Sequence, residues 1–351
     1  MTPRDRALAV LAEAGLLRVR DGRECLVLRT SGSTDVPRAV VRTVDSWVDS
    51  FDSFSEIIGI RPQDRVLIPA PLSSSLFAFG AAHTAAAGAA VLALPRWHPR
   101  EAAAAAEECT IAHVTPPMLT ALLDRLPPGV PLRTVVCGGA DLPRATRERA
   151  AAAGIRVVDY YGAAELSFVA IRHPDAAMRA YPGAEIALRD EVIWVRSPFL
   201  SDGYDGPTAG PLLRDKEGWA SVGDRGVWSD AEGLTVLGRG DDLVLTGGAS
   251  VLPGDVERVI GDAPGVAGVV VVGMPHHSLG QVVTAVIVPD AELPPTGSIL
   301  RQHAAARLAP AHRPRRWYSV NQMPLTPAGK PARGRVRQGL ADGTLGARTL
   351  S

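Results

Sequence analysis

The sequence predicts an α/β protein: a large N-terminal domain with a mostly parallel sheet and helices plus a small β-barrel-like region, followed by a small mobile α+β C-terminal domain. Three observations predict it. Short apolar runs alternate with helical stretches between residues 25 and 159, the order that builds a parallel sheet covered on both faces. After about residue 180 the pattern changes to short strands separated by Gly, Asp and Pro, which reads as antiparallel or barrel-like. A Gly/Asp stretch at 238–242 then precedes a further mixture of strands and helices, which sets domains at 1–238 and 239–351.

Taken in order, residues 7–17 have helical apolar spacing, and 25–29 (CLVLR) form an apolar run that stops at Thr, Ser and Gly, a strand entering a loop. Residues 66–68, 90–94, 111–114, 134–137 and 156–159 read as buried strands. The helices between them are expected at 44–58, 76–87, 99–108, 117–126 and 142–153. Pro99 and Pro117 suit first helical turns, where the missing N–H has no partner to lose. Short strands follow at 184–188, 192–196, 220–221, 226–228, 234–237 and 243–245. The C-terminal part reads as helix 253–260, strands 266–272 and 282–288, helix 297–308 and strand 317–320.

The composition bounds the function. The chain has 351 residues, with 37 basic and 37 acidic side chains and so no net charge. A balanced chain has no long-range field to gather phosphate backbones or anionic lipid, so neither nucleic acid nor a membrane surface is an expected partner. Apolar residues at 46% against 21% charged can bury a core, which excludes wholesale disorder. Cys25, Cys109 and Cys137 are too scattered for a disulfide framework and are expected to be small buried hydrophobes. The opening MTPRDRALAVLAEAG carries charges through its apolar part, so a cytoplasmic location is the expectation. Residues 76–94 are long enough to span a bilayer, but they are mostly Ala and Gly with His83 and Thr84 inside, which favours a buried helix and strand. The eight histidines show no metal spacing, and His83, His98 and His113 read as structural.

Five stretches could carry chemistry. Thr30-Ser31-Gly32-Ser33-Thr34-Asp35-Val36-Pro37-Arg38 puts hydroxyls on both sides of a glycine ahead of a cation, a pattern able to wrap phosphate oxygens, though it is not a Walker loop. Tyr160-Tyr161-Gly162-Ala163-Ala164-Glu165 follows a strand and offers a flat ring beside a carboxylate suited to Mg²⁺. Asp224, after Gly223, with Arg239 further on, could accept from a ribose diol. Gly247, Gly248 and Ser250 lie in a Gly-rich connector, and Lys330 sits on a Pro/Gly loop. Taken singly, each reads more simply as a turn, a packed tyrosine or a solvated charge.

In order and spacing, the five resemble the motifs of the adenylate-forming superfamily, which includes acyl-CoA synthetases, aryl-CoA ligases, peptide-synthetase adenylation domains and luciferase. The resemblance covers about residues 25–335; residues 135–140 (VVCGGA) and 71–80 (PLSSSLFAFG) also resemble its adenine-side and acyl-pocket segments. It implies ATP-dependent activation of a fatty or aryl acid as an acyl-adenylate, then transfer to CoA. Transfer to a carrier-protein phosphopantetheine or to an amine is the alternative. A degenerate nucleotide-binding or interaction protein without turnover is the alternative of another class. ATP, Mg²⁺ and CoA are the implied cofactors.

The same resemblance implies the roles. Thr30, Ser31, Gly32, Ser33, Thr34 and Arg38 would hold the β- and γ-phosphates, and Gly139 and Ala140 would border the adenine. Tyr161, followed by Gly162, would stack on the base, and Glu165 would bind Mg²⁺. Asp224 would grip the ribose with help from Arg239, and Lys330 would reach the α-phosphate. Asp241 would be the hinge, Gly247, Gly248 and Ser250 would face the thiol channel after rotation, and Ser74, Phe77, Phe79 and Gly138 would line the acid pocket. Several residues depart from the pattern: Asp35 stands where glycine is usual, Arg38 for lysine, Ala164 for threonine, and Ser74 for the histidine of many members. Only about 29 residues precede the phosphate loop, where the family has a much longer portion, so a more open pocket or completion by a second protomer, a homodimer, is expected.

Overall fold

The computed structural model describes residues 1–20, 22–30, 38–173, 176–206, 210–239 and 243–350, with the backbone alone at 29 and 30. At its centre is a seven-stranded sheet in the order Arg179–Ala180, Ser167–Arg172, Arg156–Ala163, Thr134–Gly138, Ile111–Val114, Arg65–Ile68, Ala90–Ala93. The five strands between residues 65 and 163 pair in parallel, and the remaining two add antiparallel at one edge. Ile111–Val114 and Thr134–Gly138 are buried throughout, because helices cover both faces. Helix Ser75–Ala86 is apolar all round and correspondingly buried on nearly every side.

The helix expected at 44–58 is two helices, Asp45–Val48 and Phe51–Ile58. The break is at Ser50, whose hydroxyl donates to the Trp47 carbonyl (2.6 Å) while its own carbonyl accepts from the Tyr181 hydroxyl (2.8 Å). A side chain that bonds its own backbone competes with helix continuation. His83 and His113 are fully buried, and burial pushes their pKa values down to about 3 and about 4; His83 Nε2 meets Ser55 Oγ at 2.8 Å. The three cysteines are free and buried. Among the described residues no helix is long and apolar enough to cross a membrane.

Two smaller sheets flank the centre. One joins Leu17–Arg20, Arg23–Thr30, Arg38–Thr43 and Gly203–Asp205. The other gathers the short strands from Glu185–Arg189 to Gly233–Arg239. The strand expected at 243–245 does not belong to it. Val244–Thr246 instead pairs with Ala249–Val251 and with Gly280 of the C-terminal sheet. The cause is local: Gly247 and Gly248 both have positive φ (56° and 85°) and close a two-residue hairpin.

The C-terminal sheet carries apolar residues on alternate positions. Val271, Val283 and Ile287 pack on one side with Leu300, and Val270, Val272 and Val286 pack on the other with Met323 and Val336. Val336 comes from helix Arg333–Ala341, which has few apolar residues to announce it in the sequence.

Candidate active site

A cleft of about 1290 Å³ lies beyond the C-terminal ends of the parallel strands. Its wall includes Ser74 and Gly139 from loops that follow those strands, Pro116 at the start of the helix after Ile111–Val114, Tyr161 near the end of strand Arg156–Ala163, and Gly254, Arg258 and Lys330 from the C-terminal part. Open α/β sheets gather ligand-binding loops at this end.

Asp224 opens strand Asp224–Ser229 and is register-paired with Arg239, the last residue of Gly233–Arg239. Arg239 Nε donates to Asp224 Oδ1 (2.8 Å), and the Tyr161 hydroxyl donates to Oδ2 (2.8 Å). Burial, then the adjacent Asp224 carboxylate, holds the Tyr161 hydroxyl far above its ordinary pKa, so it stays a donor. Asp224 is thus fixed from both sides and retains lone pairs for a ligand.

Glu165 is buried in the turn between Arg156–Ala163 and Ser167–Arg172. Tyr204 donates to its Oε1 (2.8 Å), and its backbone carbonyl accepts from Ser201 N–H (2.8 Å). Among the described residues there is no group of three or more metal-ligating side chains. A single oriented carboxylate is what Mg²⁺ takes when phosphates and water supply its other ligands, so the residues present fit that ion.

Lys330 arrives from the other side. A tight turn closes between Leu325 and Pro331, with Thr326 N–H donating to the Lys330 carbonyl (2.7 Å) and Gly329 N–H to the Thr326 carbonyl (2.8 Å). The Thr115 hydroxyl, at the end of a parallel strand, donates to the Gly329 carbonyl (2.6 Å) and ties the turn to the central sheet. Gly329 has φ +74°, a conformation that strains any residue with a side chain, and a Cβ there would also have to displace the end of the Met118 side chain, 2.3 Å away at Cε. The lysine side chain runs along Gly139, where a Cβ would lie 2.9 Å from Lys330 Cε. Burial, and next Arg239, lower the Lys330 pKa below its ordinary 10.5, while Asp224 and Glu165 oppose the shift.

Of the residues singled out in the sequence, Arg38, Ser74, Phe79, Gly139, Ala140, Tyr161, Gly162, Glu165, Asp224, Arg239 and Lys330 meet on the wall of this cleft. Two of the expected pocket residues do not. Phe77 is 0% exposed and belongs to the core, because residues two apart on a helix point to opposite sides. Gly138 lies beneath the Tyr160 ring; a Cβ there would be 2.5 Å from Tyr160 Cζ. Phe79 faces the cleft and packs edge-on against Trp47 (5.4 Å) and Phe168 (4.8 Å). Gly247, Gly248 and Ser250 are not on the cleft wall, and the Gly247 N–H bonds the Leu279 carbonyl (3.0 Å). Ser31, Gly32, Ser33, Thr34, Asp35 and Asp241 lie outside the described residues, as does the Thr30 side chain; the Thr30 backbone pairs with Arg38.

The sequence reading missed Arg42, Thr115 and Tyr204. Arg42 is 1% exposed yet also reaches the cleft wall. The only signal was a second arginine four residues after Arg38 in a strand, a spacing that puts both on one face.

A large cleft that holds a fixed aspartate, a buried glutamate and an inserted lysine has the make-up of an enzyme site. The comparisons identify the family. Residues 19–205 match the AMP-binding enzyme family, and residues 255–330 match the AMP-binding enzyme C-terminal domain. The chain belongs to this family, within the adenylate-forming superfamily. It is 32% identical over 339 residues to the uncharacterized acyl–CoA ligase YhfT of Bacillus subtilis, a match covering 89% of this chain and 68% of that protein. It is 32% identical over 298 residues to 2-succinylbenzoate–CoA ligase of Salmonella typhimurium, covering 83% of this chain and 63% of the relative. Among solved structures, an E. coli MenE variant with bound OSB-AMS superposes with a TM-score of 0.75 at 28% identity, covering 90% of this chain and 68% of that one. The amide bond synthetase McbA from Marinactinospora thermotolerans superposes with a TM-score of 0.72, also at 28% identity and with the same coverage. The chain spans about two thirds of the length of these relatives, from 63% to 68%.

Proposed function

We propose that this chain is an ATP-dependent acid–thiol ligase that activates a carboxylic acid as its acyl-adenylate and then passes the acyl group to coenzyme A. The observation that carries this reading is the seating of Lys330 against Gly139, in the same cleft as Glu165 and the Tyr161–Asp224–Arg239 cluster. The named acyl–CoA and 2-succinylbenzoate–CoA ligases among its relatives support it.

In the first half-reaction a carboxylate oxygen of the acid attacks the α-phosphorus of ATP. The bond from the α-phosphorus to the bridging oxygen breaks, and pyrophosphate leaves with the electron pair. Two anions must approach and negative charge grows on the α-phosphate, so the Lys330 ammonium is placed where charge develops. Asp224 accepts from the ribose hydroxyls while Tyr161 and Arg239 hold it, and Arg38 with the hydroxyls of 30–34 takes the terminal phosphates. Glu165 would hold Mg²⁺, which neutralises phosphate charge when bound. The acid lies along Ser74, Phe79, Trp47 and Trp97, a wall that suits an aryl or fatty acyl group. In the second half-reaction the thiol sulfur attacks the acyl carbon, AMP leaves, and the thiol proton goes to solvent.

The test is pyrophosphate release from ATP and Mg²⁺ with a panel of aryl and fatty acids, followed by acceptor trials with CoA, a phosphopantetheinylated carrier protein and a simple amine. Acid-dependent release with consumption of CoA is the expected result. Release that completes only with the carrier or the amine reassigns the acceptor. No release with any acid, together with ATP binding insensitive to Glu165→Ala, replaces this reading with a binding protein.

A further inference from the structure

Arg42 has no role in the reaction as set out above. Among the described residues it is the bulkiest fully buried side chain, and it is the next-to-last residue of strand Arg38–Thr43. Its Nε donates to Ser46 Oγ (2.9 Å), one terminal nitrogen to the Ala164 carbonyl (3.1 Å) and the other to the Phe199 carbonyl. Its guanidinium carbon stands 5.4 Å from the centre of the Trp47 ring. These hydrogen-bond partners are one hydroxyl and two carbonyls. The charges that favour the cation are those of Asp202 and Glu165, and burial still pulls its pKa down to about 9.

A buried guanidinium bonded to neutral groups is a poor way to stabilise a fold, because its desolvation is only partly offset. An apolar residue would suit this strand position better for stability alone. What the arginine does supply is geometry: its planar fork ties together a helix start at Ser46, the 199 segment and the residue immediately before Glu165. Tyr204 comes from the adjoining strand, where it pairs with Val40, and completes the arrangement by bonding Glu165 Oε1.

We propose that Arg42 is a positioning residue for Glu165: it fixes the backbone at Ala164 so that the glutamate, with its rotamer set by Tyr204, presents its carboxylate to the metal–nucleotide. This rests on the adenylation reading.

The experiment measures ATP binding by isothermal titration calorimetry at increasing Mg²⁺, alongside the Mg²⁺ concentration needed for half-maximal pyrophosphate release. It uses the full chain, its Arg42→Lys, Arg42→Met and Tyr204→Phe variants, and Glu165→Gln as reference. Arg42→Met should raise the Mg²⁺ requirement by about tenfold or more, the size of effect that groups supporting a metal ligand usually have. ATP binding without Mg²⁺ should move by less than about twofold, because the fork acts through the carboxylate. Arg42→Lys keeps the charge but loses the fork and should not rescue. Rescue by lysine, or an unchanged Mg²⁺ requirement in folded Arg42→Met, overturns the proposal. If neither Arg42 variant folds, Tyr204→Phe decides: a Mg²⁺ requirement raised about threefold supports the arrangement, and an unchanged one overturns it. A wild-type chain that binds no ATP at any Mg²⁺ concentration sinks the adenylation reading itself, and the proposal with it.

Discussion

Two tight turns of the C-terminal domain invite comparison. The Leu325–Pro331 turn carries Lys330 into the cleft and is tied there by Thr115. The Gly247–Gly248 hairpin is built just as tightly but lies off the cleft wall. Both connect to one sheet. Val244–Thr246 pairs with strand Gly280–Pro289 at Gly280, and Arg316–Ser319, which leads to the lysine turn, pairs with the same strand from Thr284 onward. Strands bonded to a common neighbour move as one body. If, as we propose, each turn serves one half-reaction, the domain must take two placements, and the one seen here puts the lysine turn in the cleft.

The most demanding test of that division separates the half-reactions. Lys330→Ala should lower acid-dependent pyrophosphate release by about 10²–10³-fold, the usual effect of removing one preorganised electrostatic group. Transfer from supplied acyl-adenylate to CoA should change by less than about threefold, because the lysine has then swung away. Gly248→Val should do the opposite. Its φ of +85° strains any side chain but leaves Lys330 untouched, so transfer should fall by about tenfold with adenylation preserved. Quenched-flow measurement of each step checks both variants. If either one damages both steps equally, the two turns do not divide the labour.

A gentler test acts on docking alone. In Gly329→Ala the new methyl sits on a backbone at φ +74°, which strains it, and meets Thr115 Oγ1 at 3.1 Å, so the lysine turn would seat poorly even if the Met118 side chain moves aside. We expect adenylation to fall by about tenfold with transfer unaffected. Thr115→Val removes one hydrogen bond to the turn and should cost adenylation about two- to tenfold, in line with the net worth of such a bond. Loss of transfer in either variant would mean that Thr115 and Gly329 also meet in the second placement.

How much of this was legible in the sequence follows from distance along the chain. The alternating strands and helices from 65 to 163 are local patterns and appear in the order read. The last strand, however, runs on from 159 to Ala163, so Tyr160, Tyr161 and Gly162, read as following it, lie within it because Ser167–Arg172 pairs back along it. The hairpin at 246–249 moved its strand to another sheet because two positive-φ glycines reverse the chain, and a strand's partner is not a local property. Phe77 and Phe79 look equivalent in sequence and both are buried, yet helical rotation brings only Phe79 to the edge of the cleft. Arg42, beyond its spacing from Arg38, and Thr115 and Tyr204 altogether escape the sequence for a deeper reason. Their importance lies in bonds to residues 122, 214 and 39 positions away, and single-sequence reading has no access to such pairings.

The smallest effect sharpens the comparison through pH. In the nucleotide-free enzyme, burial first and then Arg239 hold the Lys330 pKa below 10.5. Adenylation requires the charged form, so kcat/KM for ATP should decline with rising pH at a lower value than an ordinary lysine would give, since that ratio reports the free enzyme. At saturating ATP the triphosphate's negative charge stabilises the ammonium, which moves the decline of kcat to higher pH. Lys330→Arg, whose group stays charged throughout, should lose this alkaline limb even as its rate falls. If transfer to CoA proceeds with the lysine withdrawn, as the proposed division of labour requires, its pH profile should be the same in wild type and Lys330→Arg. A shared alkaline limb that disappears from both steps on Lys330→Arg would mean the lysine stays in the cleft throughout, and the contrast between the two turns would collapse.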